Sequence, residues 1–277
     1  MVTTIAICPE EVDLGTVQET LLIPLYFRAV ESKKENPRIK DDIAIEIIKN
    51  IKYDFSKFDS GTLSFHGVIS RTIILDREVQ NFIDKHPNSV IISIGCGLCT
   101  RNLRLDLKNS DWYNVDLSDV MEVRNKYLST IETNEHYYNI SKSCFDESWP
   151  KDINAEGKDV LIVIEGVLMY FTEDEIKHLI KIIKDNFKHV TVIAEIMHAM
   201  LANRTKYHDT VKKTNAEFKW GIKDCKEIEN LDSNIKYITE WNMLDSLSSY
   251  NFKFKMMNKI KFLKNVLEKI VLFEISQ

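Results

Sequence analysis

Two glycines, Gly95 and Gly97, follow directly after a short apolar run in the first half of the chain. The run, residues 90–94, is rich in β-branched side chains and too short for a helix, which is typical of a buried parallel strand. A turn without side chains lets the backbone approach a ligand closely, and open α/β sheets bind ligands where such strands end. The pattern therefore predicts a small-molecule site at the end of this strand.

An acidic residue closes the next apolar segment along the chain. Residues 112–117 form a second strand-like run, and Asp116 stands near its end, about 20 residues after the glycines, the spacing expected for a carboxylate that binds ribose hydroxyls. The G-x-G pattern lacks a third glycine, because Thr100 occupies that position, and this argues against a dinucleotide fingerprint. The combination predicts an adenosine ligand, with a βαβ unit that binds nothing as the alternative.

Glu165 follows the most strongly apolar segment of the chain, residues 159–164. This segment predicts a strand buried on both faces, and an unpaired carboxylate buried beside it would cost several kcal/mol. Glu165 must therefore leave the sheet at the strand end, where it would lie at the rim of the same site as Gly95, or be paired. A structural salt bridge is the alternative role.

Two cysteines, Cys96 and Cys99, have the C-x-x-C spacing of a redox pair directly after a predicted strand. That interpretation leaves Gly95, Gly97 and Asp116 without a role, so it is the weaker one. The five cysteines are odd in number and scattered, which predicts reduced thiols, and no second pair has the ligand spacing of a zinc site. We expect no metal.

The bulk composition argues against several classes of protein. The 277-residue chain carries a net charge of −5, so it lacks the basic excess with which a general nucleic-acid-binding protein neutralises phosphates. Its first residues lack the basic and apolar regions of a signal peptide, and no apolar run approaches the roughly 20 residues of a membrane-spanning helix. We therefore expect a cytoplasmic protein that binds neither nucleic acid nor membranes.

Four segments carry a resemblance to a known family. Residues 93–101, with the sequence Ser-Ile-Gly-Cys-Gly-Leu-Cys-Thr-Arg, resemble the first motif, usually L-G-x-G-L-D-T-R, of the leucine carboxyl methyltransferase family, which includes bacterial O-methyltransferases of polyketide pathways. Residues 114–120 are similar to its second acidic motif, residues 143–149 to its adenine-side segment, and residues 165–170 to its E-G-V-L-M-Y signature. The chain differs at Cys99, where the family commonly has Asp.

This resemblance implies an α/β fold, a Rossmann-like class I methyltransferase with a mostly parallel seven-stranded sheet, an antiparallel edge and an N-terminal helical cap. It also implies S-adenosylmethionine as the cofactor. Gly95 and Gly97 would pass under the cofactor, and Asp116 would hold its ribose hydroxyls. The remaining implied contacts are the cofactor's carboxylate with Arg71, its adenine with Ser143 and Cys144, and its methionine portion with Glu165.

The implied activity is O-methylation of a carboxylate or hydroxyl group on a small molecule. A carboxylate is ionised at neutral pH and needs no base, whereas a phenol with a pKa near ~10 would benefit from one. Tyr170 and His198, at the predicted ends of the fourth and fifth strands, are the candidate catalytic residues. An NAD(P)-dependent oxidoreductase and a non-catalytic S-adenosylmethionine-binding protein are the alternatives. The acceptor and the oligomeric state stay open.

The first third of the chain predicts a helical cap, residues 1–87. Apolar spacing indicates helices at residues 10–33, which Pro24 should kink or divide, and at residues 64–85. Between them, the pair Asp41-Asp42 predicts the cap of another helix. Such an extension ahead of the first strand usually closes over the cofactor in methyltransferases of this type.

The rest of the chain, residues 88–277, predicts the Rossmann-like core of a single domain that spans residues 1–277. Residues 197–233 are polar, helical in pattern and rich in aromatic and histidine side chains, which predicts a lid over the substrate. Alternating apolar residues at 235–241 and 271–275 predict the two strands of an antiparallel edge.

Overall fold

A seven-stranded sheet forms the centre of the protein. The computed structural model describes residues 18–133, 135–214, 216–247, 252–259 and 267–277. The strands are β1 (Val90–Ile94), β2 (Asp111–Asp116), β3 (Tyr137–Ser141), β4 (Val160–Ile164), β5 (His189–Ile196), β6 (Ile235–Asn242) and β7 (Lys269–Ser276). Their spatial order is β3-β2-β1-β4-β5-β7-β6. The first five are parallel, whereas β7 runs antiparallel to both of its neighbours. The predicted sheet with its antiparallel edge is confirmed.

Helices cover both faces of this sheet. They are α1 (Leu22–Ser32), α2 (Asp42–Asn50), α3 (Thr62–Lys85), α4 (Arg101–Arg104), α5 (Ser118–Leu128), α6 (Glu173–Asn186), α7 (Met243–Leu247) and α8 (Phe252–Asn258). Apolar residues of α6 join one core with inward residues of β1 and β4, and apolar residues of α3 join another on the opposite face. Burial on both sides explains why β1 and β4 are apolar at almost every position.

The helical cap is tied to the loop after β1 by one buried carboxylate, Asp41. As predicted, Asp41 caps α2, since its side chain accepts a hydrogen bond from the amide of Ala44 at 3.0 Å. It also accepts from Arg28 Nε at 2.8 Å and from Thr100 Oγ1 at 2.6 Å. Burial opposes ionisation of Asp41, but Arg28 and Arg104 hold its pKa below the usual value. Asp41 therefore joins the cap to the loop through hydrogen bonds and ion pairs.

Two sequence expectations about helices need correction. Pro24 does not kink α1, because it lies in the first turn, where its missing N–H costs no hydrogen bond. Residues 10–17 of that predicted helix lie outside the described residues. The lid, residues 197–233, contains only short 3₁₀ turns in its described part. Its apolar side chains, such as Phe218 and Trp220, are buried at separate positions and do not form the continuous apolar stripe of an amphipathic helix.

None of the helices in the described ranges combines the length and the apolar character needed to cross a bilayer.

Candidate active site

A cavity of about 820 Å³ opens at the carboxyl ends of the parallel strands. Its size suits a cofactor or a drug-sized ligand. Every residue that the sequence assigned to cofactor binding lines it: Arg71, Gly95, Gly97, Asp116, Ser143, Cys144 and Glu165. Tyr170 lines it as well, whereas His198 is not among its lining residues.

The cavity has two parts, which we name by their walls. The strand-end chamber is bounded by the ends of β1, β2 and β4 and by the loop after β3. The distal chamber is the part lined by the lid, by α7 and α8 and by the residues just before β7. Its lining includes the apolar side chains of Leu201, Val211, Met243, Leu247, Phe254 and Leu267 and the polar side chains of Arg204, His208, Asp209 and Glu268.

The glycine turn after β1 is shaped by its two glycines. Gly95 and Gly97 have φ angles of 63° and 49°, a region that residues with a side chain rarely adopt. A Cβ on Gly95 would also lie 2.4 Å from Cγ2 of Val167. The carbonyl groups of the turn accept hydrogen bonds from buried arginines, for example the carbonyl of Gly97 from Arg124 at 3.0 Å and that of Leu98 from Arg28 at 2.9 Å. These hydrogen bonds from buried arginines hold the turn in place.

Asp116 connects this turn to the end of β2. Its Oδ2 accepts from the amide of Gly97 at 2.7 Å, and its Oδ1 accepts from the amide of Leu117 at 2.8 Å. Burial raises the pKa of Asp116, although these two amides oppose the shift. A carboxylate has about four acceptor positions. The positions that remain on the cavity side can accept from the two hydroxyls of a ribose.

The arginine predicted at the cofactor carboxylate, Arg71, lies in the cavity wall between two glutamates. Its Nε donates to Glu165 at 2.8 Å, and its Nη1 donates to both oxygens of Glu195, at 3.0 and 2.9 Å. Its remaining amino group, Nη2, forms no hydrogen bond within the described part of the chain and lies next to Gly166. Arg71 is therefore anchored on one side and has a donor left for an anionic ligand group.

Glu165 is paired twice, as its position at the end of an apolar strand requires. Arg101 Nη2 donates to it at 2.7 Å, in addition to Arg71. Burial alone would raise the pKa of Glu165, but Arg101 and Arg71 lower it to about 2. Arg101 also binds Asp76 at 2.7 Å and contacts Cys99 Sγ at 3.6 Å, where the family commonly has Asp. The thiol replaces a carboxylate in an otherwise ionic network.

Glu195 and Glu268 were missed from the sequence. Glu195 ends β5 as Glu165 ends β4, and its side chain is 0% exposed. Like Glu165, Glu195 is an acidic residue at the end of an apolar strand, so the same sequence pattern could have identified it. Burial raises the pKa of Glu195 to about 7, since the favourable effect of Arg71 is opposed by the nearby Glu268. Glu268, just before β7, lines the cavity. No sequence pattern marked it.

The adenine-side segment follows β3, as predicted. Ser143 Oγ accepts from the amide of Phe145 at 3.2 Å, which fixes the turn. Burial raises the pKa of the Cys144 thiol to about 12, so it stays protonated. Phe145 packs on Phe171 with ring centroids 4.7 Å apart. These residues give the strand-end chamber an apolar wall with hydroxyl and thiol groups, which suits a purine ring.

The two candidate catalytic residues have different surroundings. Tyr170 packs against Phe218 with ring centroids 5.6 Å apart, and burial raises the pKa of its phenol to about 12. Tyr170 is therefore a hydrogen-bond donor and not a base at neutral pH. His198 lies off the cavity, where its Nδ1 accepts from the amide of Met200 at 3.1 Å. The histidine of the lid that lines the cavity is His208.

The structure also bears on the alternative chemistries. Cys96 and Cys99 are free thiols. No group of three or more potential metal ligands occurs among the residues that the structure describes. The helix after β1, α4, has only four residues, and the hydroxyl of Thr100 is bound to Asp41. The long helix N-terminus that holds a dinucleotide pyrophosphate does not follow this turn.

Solved structures share this fold. A DUF574 family protein from Streptomyces avermitilis matches with a TM-score of 0.59 at 10% identity, over 93% of this chain and 97% of that one. Magnesium protoporphyrin IX methyltransferase from Synechocystis, solved with bound S-adenosylhomocysteine, matches with a TM-score of 0.51 at 11% identity, over 85% and 94%. These likenesses establish a class I methyltransferase fold.

Sequence relatives are more informative. The tetracenomycin polyketide synthesis O-methyltransferase of Streptomyces glaucescens is 30% identical over 241 residues, which cover 86% of this chain and 87% of the relative. An S-adenosyl-L-methionine-dependent methyltransferase of Gibberella zeae is 27% identical over 246 residues, 82% of each chain.

The family model for leucine carboxyl methyltransferases matches residues 22–184, more than half of the chain. The match runs from α1 to α6 and includes the glycine turn, Asp116 and Glu165. The family uses S-adenosylmethionine, and the donors and acceptors of the strand-end chamber fit that cofactor. The chain belongs to the leucine carboxyl methyltransferase family and is an S-adenosylmethionine-dependent methyltransferase.

Proposed function

We propose that this protein transfers a methyl group to a carboxylate or hydroxyl oxygen of a small molecule. The observation that carries the proposal is a single cavity that is lined both by the candidate cofactor-binding groups at the strand ends and by residues of the lid, α7 and α8. The relative from Streptomyces glaucescens is described as an O-methyltransferase of polyketide synthesis, which supports oxygen as the acceptor atom.

Different residues of the strand-end chamber would bind different parts of the cofactor. Asp116 would accept from the ribose hydroxyls, and the segment with Ser143 and Cys144 would border the adenine. Arg71 Nη2 would donate to the carboxylate of the methionine portion, because Nε and Nη1 are already bound to glutamates. Glu165 would accept from the amino group. Each assignment uses a hydrogen-bonding position that the protein itself leaves unfilled.

Catalysis would depend on placement. The bound cofactor supplies an electrophilic methyl group on a sulfonium. The walls of the cavity hold the acceptor in line with that group and exclude water, and such positioning alone can provide much of a rate acceleration. Tyr170, protonated at neutral pH, would donate a hydrogen bond to the acceptor. A carboxylate acceptor would release no proton on methylation, whereas a hydroxyl acceptor would release its proton to solvent. His198 has no place in this scheme, because it lies off the cavity.

Calorimetry with S-adenosylhomocysteine tests the cofactor assignment. Asp116→Ala should lower the affinity by about tenfold or more, because hydrogen bonds to a charged group are worth about 1.5–3 kcal/mol each. Asp146→Asn is the matched control, since Asp146 is an exposed carboxylate that binds the amide of Ser148 outside the cavity. Equal affinities for the wild type and Asp116→Ala would contradict the ribose assignment.

Transfer itself is tested with S-adenosylmethionine that carries a labelled methyl group and a small-molecule extract of the host cells. We expect label in an organic-soluble product. Release of the label as methanol by mild base would identify a methyl ester, and stability to base would identify an ether. Tight binding of S-adenosylhomocysteine with no labelled product would favour a non-catalytic binding protein.

A further inference from the structure

Two basic side chains of the lid, Arg204 and Lys219, line the cavity and are also exposed to solvent, which places them at its opening. Within the described part of the chain, neither of them forms an ion pair with a carboxylate. The other lining arginines, Arg28, Arg71 and Arg101, are each bound to a carboxylate. The charges of Arg204 and Lys219 are therefore available to a ligand.

Backbone contacts within the lid bring these two residues together. The amide of Asn203 donates to the carbonyl of Phe218 at 2.8 Å, and the amide of Phe218 donates to the hydroxyl of Thr205 at 2.7 Å. Arg204 lies between Asn203 and Thr205, and Lys219 follows Phe218, so the two basic residues start from adjacent backbone positions. Both are long side chains, and they can reach the same ligand group. We treat them as one basic pair.

The basic pair lies beside the aromatic part of the cavity wall. The amide of Lys219 donates to the carbonyl of Met169 at 2.8 Å, directly before Tyr170. Phe218, which also lines the cavity, packs between Tyr170 and His208, with ring centroids 5.6 and 5.3 Å away. A ligand that reaches the basic pair from within the cavity therefore contacts apolar and aromatic side chains as well.

The other titratable groups of this wall do not neutralise the basic pair through ion pairs. Asp209 accepts from amides at the start of α3. Glu175 attracts Lys219, but its carboxylate is held in the capping box of α6. Glu268, just before β7, forms an ion pair with neither cation. His208 is neutral, because its Nδ1 accepts from a backbone amide at 3.1 Å.

We propose that Arg204 and Lys219 bind a carboxylate of the methyl acceptor, and that the acceptor is an apolar molecule that carries such an anionic group. Guanidinium and ammonium groups both donate charge-assisted hydrogen bonds to carboxylates. Because both cations are exposed, this carboxylate stays at the opening of the cavity, and the oxygen that receives the methyl group belongs to another part of the acceptor. This inference rests on the proposed function and names the substrate class and the residues that recognise it.

Two probes of the same ring system test the proposal, 2-naphthoate and 2-naphthamide. They have similar shapes, but only 2-naphthoate is anionic at neutral pH. Binding is measured by calorimetry to the full-length protein saturated with S-adenosylhomocysteine, which fills the cofactor site and lacks the positive charge of a sulfonium. The wild type should bind 2-naphthoate about fivefold more tightly, the factor expected of two exposed ion pairs. The preference should shrink at about 0.5 M salt, because exposed charges are screened.

The double variant Arg204→Gln/Lys219→Gln should bind the two probes equally, and each single variant should keep part of the preference. The matched control is Lys212→Gln/Lys223→Gln. It removes the same two charges from exposed positions of the lid that lie outside the cavity lining. This control should keep the full preference, since the effect depends on the site and not on the net charge of the lid.

Four results would overturn the proposal. They are equal binding of the two probes by the wild type, an unchanged preference in Arg204→Gln/Lys219→Gln, an equal loss of preference in the control, and no saturable binding of 2-naphthoate at millimolar concentration. Failure to bind S-adenosylhomocysteine would instead count against the cofactor site and the proposed function, so the two failures are distinguishable.

Discussion

Glu165 and Glu195 occupy equivalent places at the ends of adjacent strands, yet they ionise very differently. Glu195 is buried, Glu165 is half-buried, and both bind Arg71, through Nη1 and Nε respectively. The pKa of Glu165 is lowered to about 2, and that of Glu195 is raised to about 7. The difference lies in the other neighbours, because Glu165 has a second arginine, Arg101, whereas Glu195 has a second carboxyl group, Glu268.

The comparison separates the two chambers by charge. On the strand-end side, buried carboxylates and arginines alternate, so each charge is balanced and the geometry is fixed before the cofactor arrives. On the side of β5 and β7, Arg71 is the basic partner of Glu195, and burial together with the nearby Glu268 raises the pKa of Glu195 despite that partner. A preformed wall with balanced charges suits the cofactor, whose structure is always the same. A wall whose polar groups are not all paired with one another suits the methyl acceptor, which must be recognised by its own polar groups.

Removal of Arg71 should have the largest effect, because it takes the common partner from both glutamates. We expect Arg71→Met to lower the free energy of unfolding by about 3–5 kcal/mol, the usual result of leaving a buried charge without its partner. Affinity for S-adenosylhomocysteine should fall by about 100-fold. Urea unfolding at pH 8 and calorimetry provide the two measurements.

Arg71→Lys is the matched variant, since it keeps the charge but loses the planar donor geometry. It should restore part of the stability and little of the affinity. If Arg71→Met bound S-adenosylhomocysteine as tightly as the wild type, Arg71 would have only a structural role as an ion-pair partner. The assignment of Arg71 to the cofactor carboxylate would then be wrong.

The pH dependence of stability should separate Glu195 from Glu165. The charged or titratable groups that face Glu195 are Arg71 from α3, Glu165 from β4 and Glu268 before β7. Since the folded protein retains a proton on Glu195 that the unfolded chain releases near its ordinary pKa, the free energy of unfolding should fall as pH rises from about 5 to about 8, by on the order of 2 kcal/mol.

Glu195→Gln, which cannot ionise, should show a flatter profile in urea unfolding over the same pH range. The low pKa of Glu165 has the opposite effect on the pH dependence of stability. The stabilisation that Glu165 provides is present above its pKa in the unfolded chain and is lost only as pH falls toward 2. If the free energy of unfolding varied with pH in the same way for the wild type and Glu195→Gln between pH 5 and 8, the raised pKa of Glu195 would be wrong.

The smallest effect concerns the lid, which contacts the distal side of the cavity. Helix α3 begins after Gly61 with no side-chain cap of its own. Asp209 of the lid supplies one, since its Oδ2 accepts from the amides of Leu63 and Ser64 at 3.1 and 3.3 Å. Asp209→Ala should lower the free energy of unfolding by about 1 kcal/mol and speed hydrogen exchange at these two amides.

Thr172→Ala is the control for this change, because Thr172 caps α6 in a reciprocal capping box with Glu175. It should destabilise the protein to a similar extent without faster exchange in α3. Affinity for S-adenosylhomocysteine should stay unchanged in both variants. Unaltered exchange at Leu63 and Ser64 in Asp209→Ala would show that the lid does not secure the start of α3.

Local pattern was sufficient for the strand-end chamber. The glycine turn, Asp116 and Glu165 each combine a β-branched run with a residue type that has one sensible role at a strand end, and the structure brings them together around one cavity. The helix start at Asp41 was predicted for the same reason, because a cap acts within one turn. Arg71 could be placed only with the help of the family resemblance, since its position beside an apolar stripe is equally typical of a surface arginine.

The distal chamber could not be predicted in this way. Its residues come from the lid, α7, α8 and the residues just before β7, which are far apart in sequence and carry no shared motif. The order of β5, β7 and β6 brings Glu268 beside Glu195, and no local pattern specifies that pairing. His198 was chosen for its place near a strand end, yet the chain turns there and directs it away from the cavity.

The sequence by itself determined the strands, the main cap helices and the family, and it predicted the candidate cofactor-binding groups, because these depend on side-chain periodicity and on residues within a few positions of one another. Only the tertiary structure decided which carboxylates share Arg71, how their pKa values differ and which residues line the cavity. Those properties follow from burial and from distances between charges on separate elements, and both are set by how the elements pack.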